Sequence, residues 1–190
     1  QNSNKIKKKL KKKKKNFLIS KNSKKYVSSN ELVIECYKKM NFVCLRKLIN
    51  IGVDIIRSID PPLLVEATKN KDLLFVKFLL SFPEIDVNNT DTIVAYKNPL
   101  LIACEKDYNE IFDVLIQHPD IDVNITDSSE DTPLSIAVSH NNIHMVEELL
   151  KNPKILVNKP NEHQETPIFL SCINGSHEIF EMLFKRKDID

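Results

Sequence analysis

The feature that most constrains this chain is a sequence unit that recurs at a spacing of 34 residues. Moving the stretch 131–158 forward by this spacing places Thr132-Pro133-Leu134 on Thr166-Pro167-Ile168. Successive units also end on similar phrases, which read FPEIDVN at 82–88, HPDIDVN at 118–124 and NPKILVN at 152–158. A fixed period between about 20 and 50 residues is typical of repeat architectures, in which each unit stacks on its neighbours. We therefore expect a stack of similar units rather than one centrally packed domain.

The residues of one unit predict two short helices followed by an extended loop. Thr132 suits a helix N-cap and Pro133 suits the first position of a short inner helix. Asn141-Asn142 favours a break, because asparagine tolerates the left-handed conformation that ends helices. A second, outer helix is indicated by an apolar stripe at helical spacing, formed by Met145, Val146, Leu149 and Leu150. Asn152-Pro153 ends that helix, and the chain then crosses over 155–157 and turns through a polar stretch at 158–165.

These units resemble the ankyrin repeat, whose consensus joins a Thr-Pro-Leu helix start to a leucine-rich outer helix and an Asp-Val-Asn ending. The resemblance extends over about residues 31–190 and is clearest over 98–190. It implies an all-α fold, an ankyrin-type repeat solenoid in which each unit is a helix-turn-helix with a hairpin loop. The expected units are about 31–60, 61–97, 98–131, 132–165 and a truncated 166–190.

The departures from the consensus carry structural expectations of their own. The family's histidine after Thr-Pro-Leu corresponds here to Leu64, Leu101, Ser135 and Phe169, so its usual hydrogen bond between repeats should be absent. The family's inner-helix glycine remains only as Gly175, and it corresponds in the other units to Asn70, Asp107 and Asn141. The first unit lacks Thr-Pro, but its apolar pattern is kept by Val33, Cys36, Leu45, Leu48 and Ile49.

The charge of the chain is divided unevenly between its two parts. Residues 1–30 contain twelve lysines and no acidic residue, whereas the remaining 16 Lys and Arg face 26 acidic residues, a net charge of −10. A run of like charges with little to bury predicts a disordered basic N-terminal arm. In the simplest interpretation, the arm is a solvated tail. The alternatives are a nuclear-import signal, or contact with nucleic acid or anionic lipid through Lys5–Lys15.

The cysteines and the hydropathy of the chain indicate an intracellular protein. Four cysteines form no Cys-x-x-Cys pair, and Cys36, Cys104 and Cys172 are assigned to small, packed positions of the inner helices. Reduced thiols favour an intracellular, cytoplasmic location, with the nucleus as the alternative. No apolar run approaches the roughly 18 residues that a transmembrane helix needs, so we expect no transmembrane segment in this chain.

The two ends of the chain are interpreted as cut. The sequence lacks an initiating methionine and stops at Asp190, inside the phrase that closes a repeat. We therefore expect a fragment of a longer protein that continues with more repeats or a cap. In the last unit Ile179, Leu183 and Phe184 are expected to face the next repeat and to form an exposed apolar patch without it.

The sequence offers no arrangement that supports catalysis, a cofactor or a metal. Two glycines placed 123 positions apart exclude the glycine-rich loops that cradle phosphates. His140 and His144 are spaced like metal ligands, but a predicted turn separates them, so we interpret both as solvated. The carboxylate pairs Glu147-Glu148 and Asp120/Asp122 are expected on solvated surfaces, without the pocket that acid–base chemistry requires. Cys104 and Cys172 are expected to be too well packed to serve as nucleophiles.

The resemblance also implies where partners would bind, namely a concave groove formed by loop tips and the exposed sides of the inner helices. The positions that correspond to the family's variable contacts are Ile93, Val94, Tyr96, Glu105, Lys106, Ser128, Ser129, Asp131, Ser139, His140, Glu162, His163, Glu165, Ile173 and Asn174. Tyr96 stands out because tyrosine is enriched at binding hot spots. The acidic array favours a partner of basic character, and the lysine arm of the chain itself is one candidate.

The leading functional hypothesis is a scaffold or adaptor that binds other proteins through its repeats and catalyses nothing itself. One alternative is that the chain is the regulatory region of a larger enzyme or channel. Another is recruitment to nucleic acid or to an anionic membrane through the lysine-rich arm. Binding of that kind should weaken steeply with salt and disappear when the arm is deleted.

Overall fold

Helices account for all the regular secondary structure in the part of the chain that the computed structural model describes. The described residues are 29–39, 41–50, 62–83, 85–90 and 97–189. The predicted disordered arm over 1–28 lies outside them, and so do the predicted contact residues Ile93, Val94 and Tyr96. Backbone contacts divide the chain into one unit over residues 1–59 and another over residues 60–190, and the two are described separately.

The described residues of the first unit form one helix pair, α1 (Ser29–Lys38) and α2 (Phe42–Asn50). The turn between them is capped by Asn41, whose Oδ1 accepts the backbone N–H of Cys44 at 3.0 Å. The predicted apolar pattern is confirmed at four positions, since Val33, Cys36, Leu45 and Leu48 are buried. The side chain of Ile49 lies outside the described set.

The second unit contains four helix pairs, each with an inner helix of seven residues and an outer helix of eight. The pairs are α3 (Leu63–Lys69) with α4 (Leu73–Leu80), α5 (Pro99–Glu105) with α6 (Asn109–Ile116), α7 (Pro133–Ser139) with α8 (Ile143–Leu150), and α9 (Pro167–Ile173) with α10 (His177–Phe184). The helices of each pair pack together, and the inner helices also pack on one another in chain order. The outer helices do the same, so the unit is a stack of repeats, as predicted.

The predicted helix starts are confirmed by their capping hydrogen bonds. Thr132 Oγ1 accepts the N–H of Ser135 at 3.0 Å, and Asn98 and Thr166 cap α5 and α9 in the same way. A proline follows each of these three caps, where its missing N–H removes no helical hydrogen bond. The Thr132 N–H also donates to Ser135 Oγ at 2.8 Å, which completes a capping box. Ser135 therefore stabilises the start of α7 from the position that holds histidine in the family.

The second repeat lies one residue out of the register expected from the sequence. The correspondence of Leu64 to the family's histidine places Pro62 at the first helical position, but Pro62 is the N-cap residue, with φ −55° and ψ 136°, and α3 begins at Leu63. The left-handed residue of the following turn is correspondingly Lys71, with φ 54°, and not Asn70. Two consecutive prolines at 61 and 62 offer two possible starts to a sequence alignment, and packing of the helix selects one of them.

A repeated backbone hydrogen bond shows which register is correct. In every pair the residue before the outer helix donates its N–H to a carbonyl five residues earlier: Asp72 to Ala67, Tyr108 to Ala103, Asn142 to Ala137 and Ser176 to Ser171, each at 2.9 Å. Ala67 thus corresponds to Ala137, and the family's histidine position is Val65 rather than Leu64. The four residues whose carbonyl oxygens accept these bonds are all small and buried, as the close approach of inner helices requires.

An asparagine at the end of a repeat bonds to the backbone of the next repeat, in the crossing segment that follows the outer helix. Asn124 Nδ2 donates to the Lys154 carbonyl oxygen at 2.8 Å, and Asn124 Oδ1 accepts the N–H of Leu156 at 2.9 Å. Asn88 makes the corresponding pair of bonds to the crossing of the third repeat at 2.7 and 2.8 Å. Asn158 donates to a carbonyl oxygen of the last repeat at 2.7 Å. The asparagine that closes each repeat phrase is therefore a contact between repeats.

The exposed apolar residues of the last repeat are not the predicted set. Ile179 and Leu183 are 0% exposed, because the apolar stripe of α10 faces the helices that it packs against, α9 and α8. Phe184 is 62% exposed, as predicted, and it is joined by Phe169 at 50% and Ile173 at 61%. The uncovered apolar surface thus lies mainly on one face of the inner helix α9, where Phe169 and Ile173 stand one helical turn apart.

The prediction that Cys172 is packed is also wrong. Cys172 is exposed, whereas Cys104 and Val138 are fully buried at the corresponding positions of α5 and α7. The following inner helix packs on α5 and on α7, but no described inner helix follows α9. The burial of this position therefore depends on the presence of a neighbour and not on the local sequence.

Candidate protein-binding surface

Two polar loops precede α7 and α9, over residues 127–131 and 161–165, and we call them the fingers. The first is built around Asp127, whose Oδ1 accepts the N–H groups of Ser129 at 2.9 Å and Asp131 at 3.1 Å. Asp127 also donates its own N–H to the carbonyl oxygen of Asp131 at 3.2 Å. These bonds satisfy the backbone of a loop that has no strand partner, and they give the first finger a defined shape.

The second finger repeats this arrangement around Asn161. Its Oδ1 accepts the N–H groups of His163 and Glu165, both at 3.0 Å. Each finger also contains one left-handed residue at the same place, Glu130 with φ 60° and Gln164 with φ 63°. The two loops differ in sequence but have the same backbone conformation, because aspartate and asparagine both supply a side-chain Oδ1 that accepts the backbone N–H groups.

The two fingers are joined to each other. The Glu162 N–H donates to the Ser129 carbonyl oxygen at 3.0 Å. Beside this bond, the amide of Asn161, itself buried, donates to Asp131 Oδ1 at 3.3 Å. The tips therefore form one continuous edge of the stack rather than two independent loops.

The predicted contact residues of the fingers fall into two groups. Three are exposed, namely Ser128, Glu162 and His163, and three are half-buried, namely Ser129, Asp131 and Glu165. In the second group the Asp131 carboxylate accepts the hydroxyl of Ser135 at 3.0 Å, and Glu165 Oε2 accepts the amide of Asn161 at 3.1 Å. Asp131 and Glu165 thus hold the fingers in shape, and the side chains of the first group are exposed on the surface of the fingers.

The predicted contact residues at the ends of the inner helices lie side by side. Ser139, His140, Ile173 and Asn174 are exposed, and the Asn174 amide donates to the Ser139 carbonyl oxygen at 3.3 Å. This bond places the end of α9 next to the end of α7. The structure therefore brings these four predicted residues together along one edge of the inner helices.

Glu105 carries the clearest electrostatic perturbation among the predicted contacts. Its carboxylate lies between Lys97, with which it forms a close ion pair, and Lys106, whose Nζ is 3.5 Å from Oε1. Burial by itself raises the pKa of Glu105, but the hydrogen bond and charge of Lys97, together with Lys106, lower that pKa below its ordinary value. Glu105 is therefore an anion held by two cations, and Lys106 is the exposed member of the group.

The two histidines contact different aspartates of the preceding repeat. His140 Nδ1 is 3.3 Å from Asp107 Oδ2, and His144 Nε2 is 2.6 Å from Asp113 Oδ1. The Asn142 amide donates to Asp107 Oδ1 as well, at 2.9 Å. Within the described ranges, no group of three or more histidine, cysteine or acidic side chains is arranged to hold a metal ion. Sequence reasoning assigned Asp107 only to the turn and missed its contacts with the next repeat.

The residues considered for catalysis occupy unsuitable surroundings. Cys104 is fully buried, and burial together with the charge of Asp107 raises the pKa of its thiol far above the ordinary value, so it is not a nucleophilic thiolate. Cys172 is exposed, contrary to expectation. The carboxylates of Asp120 and Asp122 lie on an exposed crossing, as predicted.

A cavity of about 270 Å³ lies where the turn of the second repeat meets that of the third. Its lining includes Lys71, Asp107, Tyr108 and Glu110, and the Lys71 amine lies 5.1 Å from the centre of the Tyr108 ring. No sequence signal indicated this cavity, because its walls come from two repeats whose spacing is irregular.

Comparison with known families adds an independent observation. The family model described as "Ankyrin repeats (3 copies)" matches residues 64–156 and 121–190, which together span more than half of the chain. The match begins inside α3 and leaves out α1 and α2. No curated protein matches the sequence. Among the described helices, none combines the length and the apolar character needed to cross a membrane.

Proposed function

The chain belongs to the ankyrin-repeat family, and on this premise we propose that it is a scaffold or adaptor that binds partner proteins. Ankyrin repeats generally mediate protein–protein interaction and are typically not catalytic. The binding surface in this proposal comprises the finger tips and the ends of the inner helices. Its members are the described contact residues named above, with Tyr96 and its neighbours as a further prediction.

The observation that carries the proposal is the combination of exposed side chains with a firmly bonded backbone. Ser128, Glu162 and His163 are exposed on fingers whose backbones are closed by Asp127 and Asn161. A surface that is already ordered loses little conformational entropy when a partner binds, which favours affinity. Exposed polar residues on an ordered backbone therefore support recognition of a partner surface.

The charge of the fingers supports a basic partner. The acidic residues over 127–131 and 161–165 are Asp127, Glu130, Asp131, Glu162 and Glu165, and neither stretch contains lysine or arginine. Charge of one sign along an edge steers an oppositely charged partner during encounter and mainly raises the association rate. We therefore expect association with the physiological partner to slow as ionic strength rises.

Site-specific photo-cross-linking tests the proposed surface directly. A photoreactive amino acid is placed at Ser128 or at Ser139 in the full chain, and at Glu147 as a matched exposed control on the outer helix α8. The first two positions should capture the same protein from a cell extract, and the control should not. Equal capture at all three positions, or capture only at Glu147, would place binding elsewhere.

Charge reversal gives a second test that needs no chemical probe. Glu162→Lys should reduce the affinity for the captured partner by about tenfold or more, a change of about 1.4 kcal/mol, if the finger edge is central to the contact. Glu178→Lys serves as the matched control, because Glu178 is also exposed but lies on the outer helix α10. Identical affinities for both variants would contradict the proposal.

The lysine-rich arm favours a second candidate function, recruitment to nucleic acid or anionic lipid. The supporting observation is a sequence of twelve lysines without an acidic residue over 1–30. Binding through such a run is dominated by phosphate contacts and falls steeply with salt. Residues 1–190 and 31–190 would be compared for binding to duplex DNA and to vesicles containing phosphatidylserine. Equal binding by both chains would refute a role for the arm.

A further inference from the structure

The helix pairs of the second unit share one internal contact position. The small inner-helix residue whose carbonyl closes the turn is followed eight residues later by an apolar residue of the outer helix. These positions are Ala67 with Phe75, Ala103 with Ile111, Ala137 with Met145, and Ser171 with Ile179. All eight residues are buried. The geometry of the turn thus directs both positions of each pair into the core.

The pair α1–α2 places two cysteines at this position. The Asn41 N–H donates to the Cys36 carbonyl oxygen at 2.8 Å, which is the hydrogen bond that marks Ala67 and Ala137 in later repeats. Cys44 follows eight residues after Cys36 and corresponds to Met145. The two Sγ atoms lie 2.7 Å apart. Cys36 is buried and Cys44 is half-buried, so one thiol of the pair is accessible from solvent.

We propose that Cys36 and Cys44 are a thiol pair that forms a reversible disulfide between α1 and α2 when the protein meets a low-molecular-weight disulfide. This modification goes beyond partner binding, and it does not depend on the proposed binding surface. The bond would link two helices that the chain joins only through a short turn. It would give α1–α2 a covalent state that responds to the thiol–disulfide balance of its surroundings.

The chemistry proceeds in two exchange steps. The thiolate of Cys44 attacks one sulfur of the small disulfide, a mixed disulfide forms at Cys44, and the other half leaves as a thiolate that takes up a proton. Cys36 then loses its proton to solvent and attacks Cys44 Sγ, which expels the second half in the same way. Two protein thiols are oxidised, and one small disulfide is reduced to two thiols.

The order of these steps follows from the surroundings of the two thiols. Cys44 is the more exposed residue and meets the reagent first. Burial is the main cause that raises the pKa of Cys36, and with the hydrogen bond and charge of Cys44 it brings that pKa to about 12. Cys36 is therefore a thiol at neutral pH, and the second step should accelerate as pH rises from about 7 to about 9, because the thiolate is the nucleophile.

The other two cysteines provide internal references for reactivity. Cys104 is fully buried in α5, and Cys172 is exposed on α9. Cys172 should react readily with a small disulfide, but the product should stop at the mixed disulfide if no second thiol is within reach. Cys104 should not react while the repeat is folded.

Peptide mapping of the full chain after treatment with oxidised glutathione tests the proposal. Trypsin cleaves at Lys38 and Lys39, between the two cysteines, so the disulfide would hold peptides 26–38 and 40–46 together. The linked peptides should appear on treatment, grow faster at higher pH, and disappear with dithiothreitol. Cys36→Ala, which installs the residue found at Ala67 and Ala137, should abolish the link and leave Cys44 as the mixed disulfide.

Three results would overturn the proposal. One is a chain in which Cys172 is fully modified while Cys36 and Cys44 both remain free thiols. A second is wild-type protein that stops at the Cys44 mixed disulfide, as the Cys36→Ala variant does. The third is a link from Cys36 or Cys44 to Cys172 of another molecule instead of the link between their own peptides. A Cys172→Ala chain should still form the Cys36–Cys44 disulfide. This variant distinguishes that disulfide from any reaction at the exposed Cys172.

Discussion

At the scale of single residues, one position between the inner and outer helix sets the geometry of each turn. Its backbone is left-handed in all four pairs of the second unit, with φ 54° at Lys71, 53° at Asp107, 53° at Asn141 and 65° at Gly175. This conformation costs an ordinary L-residue roughly 1–2 kcal/mol, less for asparagine and aspartate, and nothing for glycine. The backbone is therefore strained at Lys71, whereas Gly175 has a similar φ in the last repeat without that strain.

Gly175→Ala isolates this backbone strain. A Cβ atom added at Gly175 meets no heavy atom within 4 Å, so the cost comes from the positive φ alone. We expect alanine to lower the free energy of unfolding by about 1 kcal/mol. Gly175→Asn should cost less, because Asn141 occupies the same position in the preceding repeat. Urea denaturation of both variants measures this difference, and equal losses would show that φ is not what matters at this position.

The ion pair at Glu105 gives a prediction for pH dependence. The folded state lowers the pKa of Glu105 below its ordinary value of 4.5, so the carboxylate stabilises the fold above that pH. The stabilisation is lost as pH falls through the lowered pKa. Lys97→Met should therefore reduce stability at about pH 7 by less than about 1 kcal/mol, because the Glu105 side chain is 32% exposed and water screens the ion pair.

Urea midpoints of wild type and Lys97→Met at about pH 7 and about pH 3 would measure this effect. The difference between the two proteins should shrink at the lower pH, because a larger fraction of Glu105 is protonated as pH falls through its lowered pKa. In a Glu105→Gln background, Lys97→Met should have little effect at either pH. A loss that is unchanged by acid would mean that Lys97 acts through packing of its stem and not through charge.

At the scale of helices, the repeats depend on one small residue in each inner helix. Ala67, Ala103, Ala137 and Ser171 are all buried where successive inner helices pack. Small side chains let the helix axes approach, and larger ones force shifts in a densely packed interior. Two residues further on, Ser139 lies at the end of α7 and is exposed.

Ala137→Leu and Ser139→Leu test this assignment on a single helix. We expect the first to destabilise by about 1–3 kcal/mol through overpacking and the second to be nearly neutral. Both substitutions place leucine in α7, and the different helix propensities of alanine and serine account for only about 0.5 kcal/mol of any difference. Thermal or urea denaturation decides between them, and similar losses from the two variants would show that the helix is rotated from the observed orientation.

At the scale of the whole stack, stability is a sum of units and of contacts between neighbours. In the second unit α7 packs between two inner helices, α5 and α9, whereas α9 packs on α7 alone among the described inner helices. The exposed Phe169, Cys172 and Ile173 mark the uncovered face of α9. An end repeat with fewer contacts should open at a lower free energy than an internal one.

Hydrogen exchange in the full chain tests this difference between matched helices. The helices α7 and α9 have the same length and both start with Thr-Pro. We expect the amides of α9 to exchange at least about tenfold faster than those of α7, which corresponds to about 1.4 kcal/mol. Equal protection would mean that the stack opens as one cooperative unit.

The candidate surface could be predicted in part, because its residues occupy fixed places in each repeat. The sequence placed Ser128, Glu162 and His163 on the fingers, where they are exposed. It did not separate them from Asp131 and Glu165, whose carboxylates accept hydrogen bonds that hold the fingers in shape. That distinction depends on which donor each carboxylate meets in the folded loops, and a linear pattern does not show it.

The sequence by itself determined the repeat, the helix pairs and their caps, because these depend on periodicity and on residues within one turn of each other. Only the tertiary structure decided the register after Pro62, the burial of Ile179 and the exposure of Cys172. It alone decided the contact of Cys36 with Cys44. Each of these outcomes depends on which neighbour covers a side chain, and that neighbour belongs to another helix, whose position is set by packing of the whole stack.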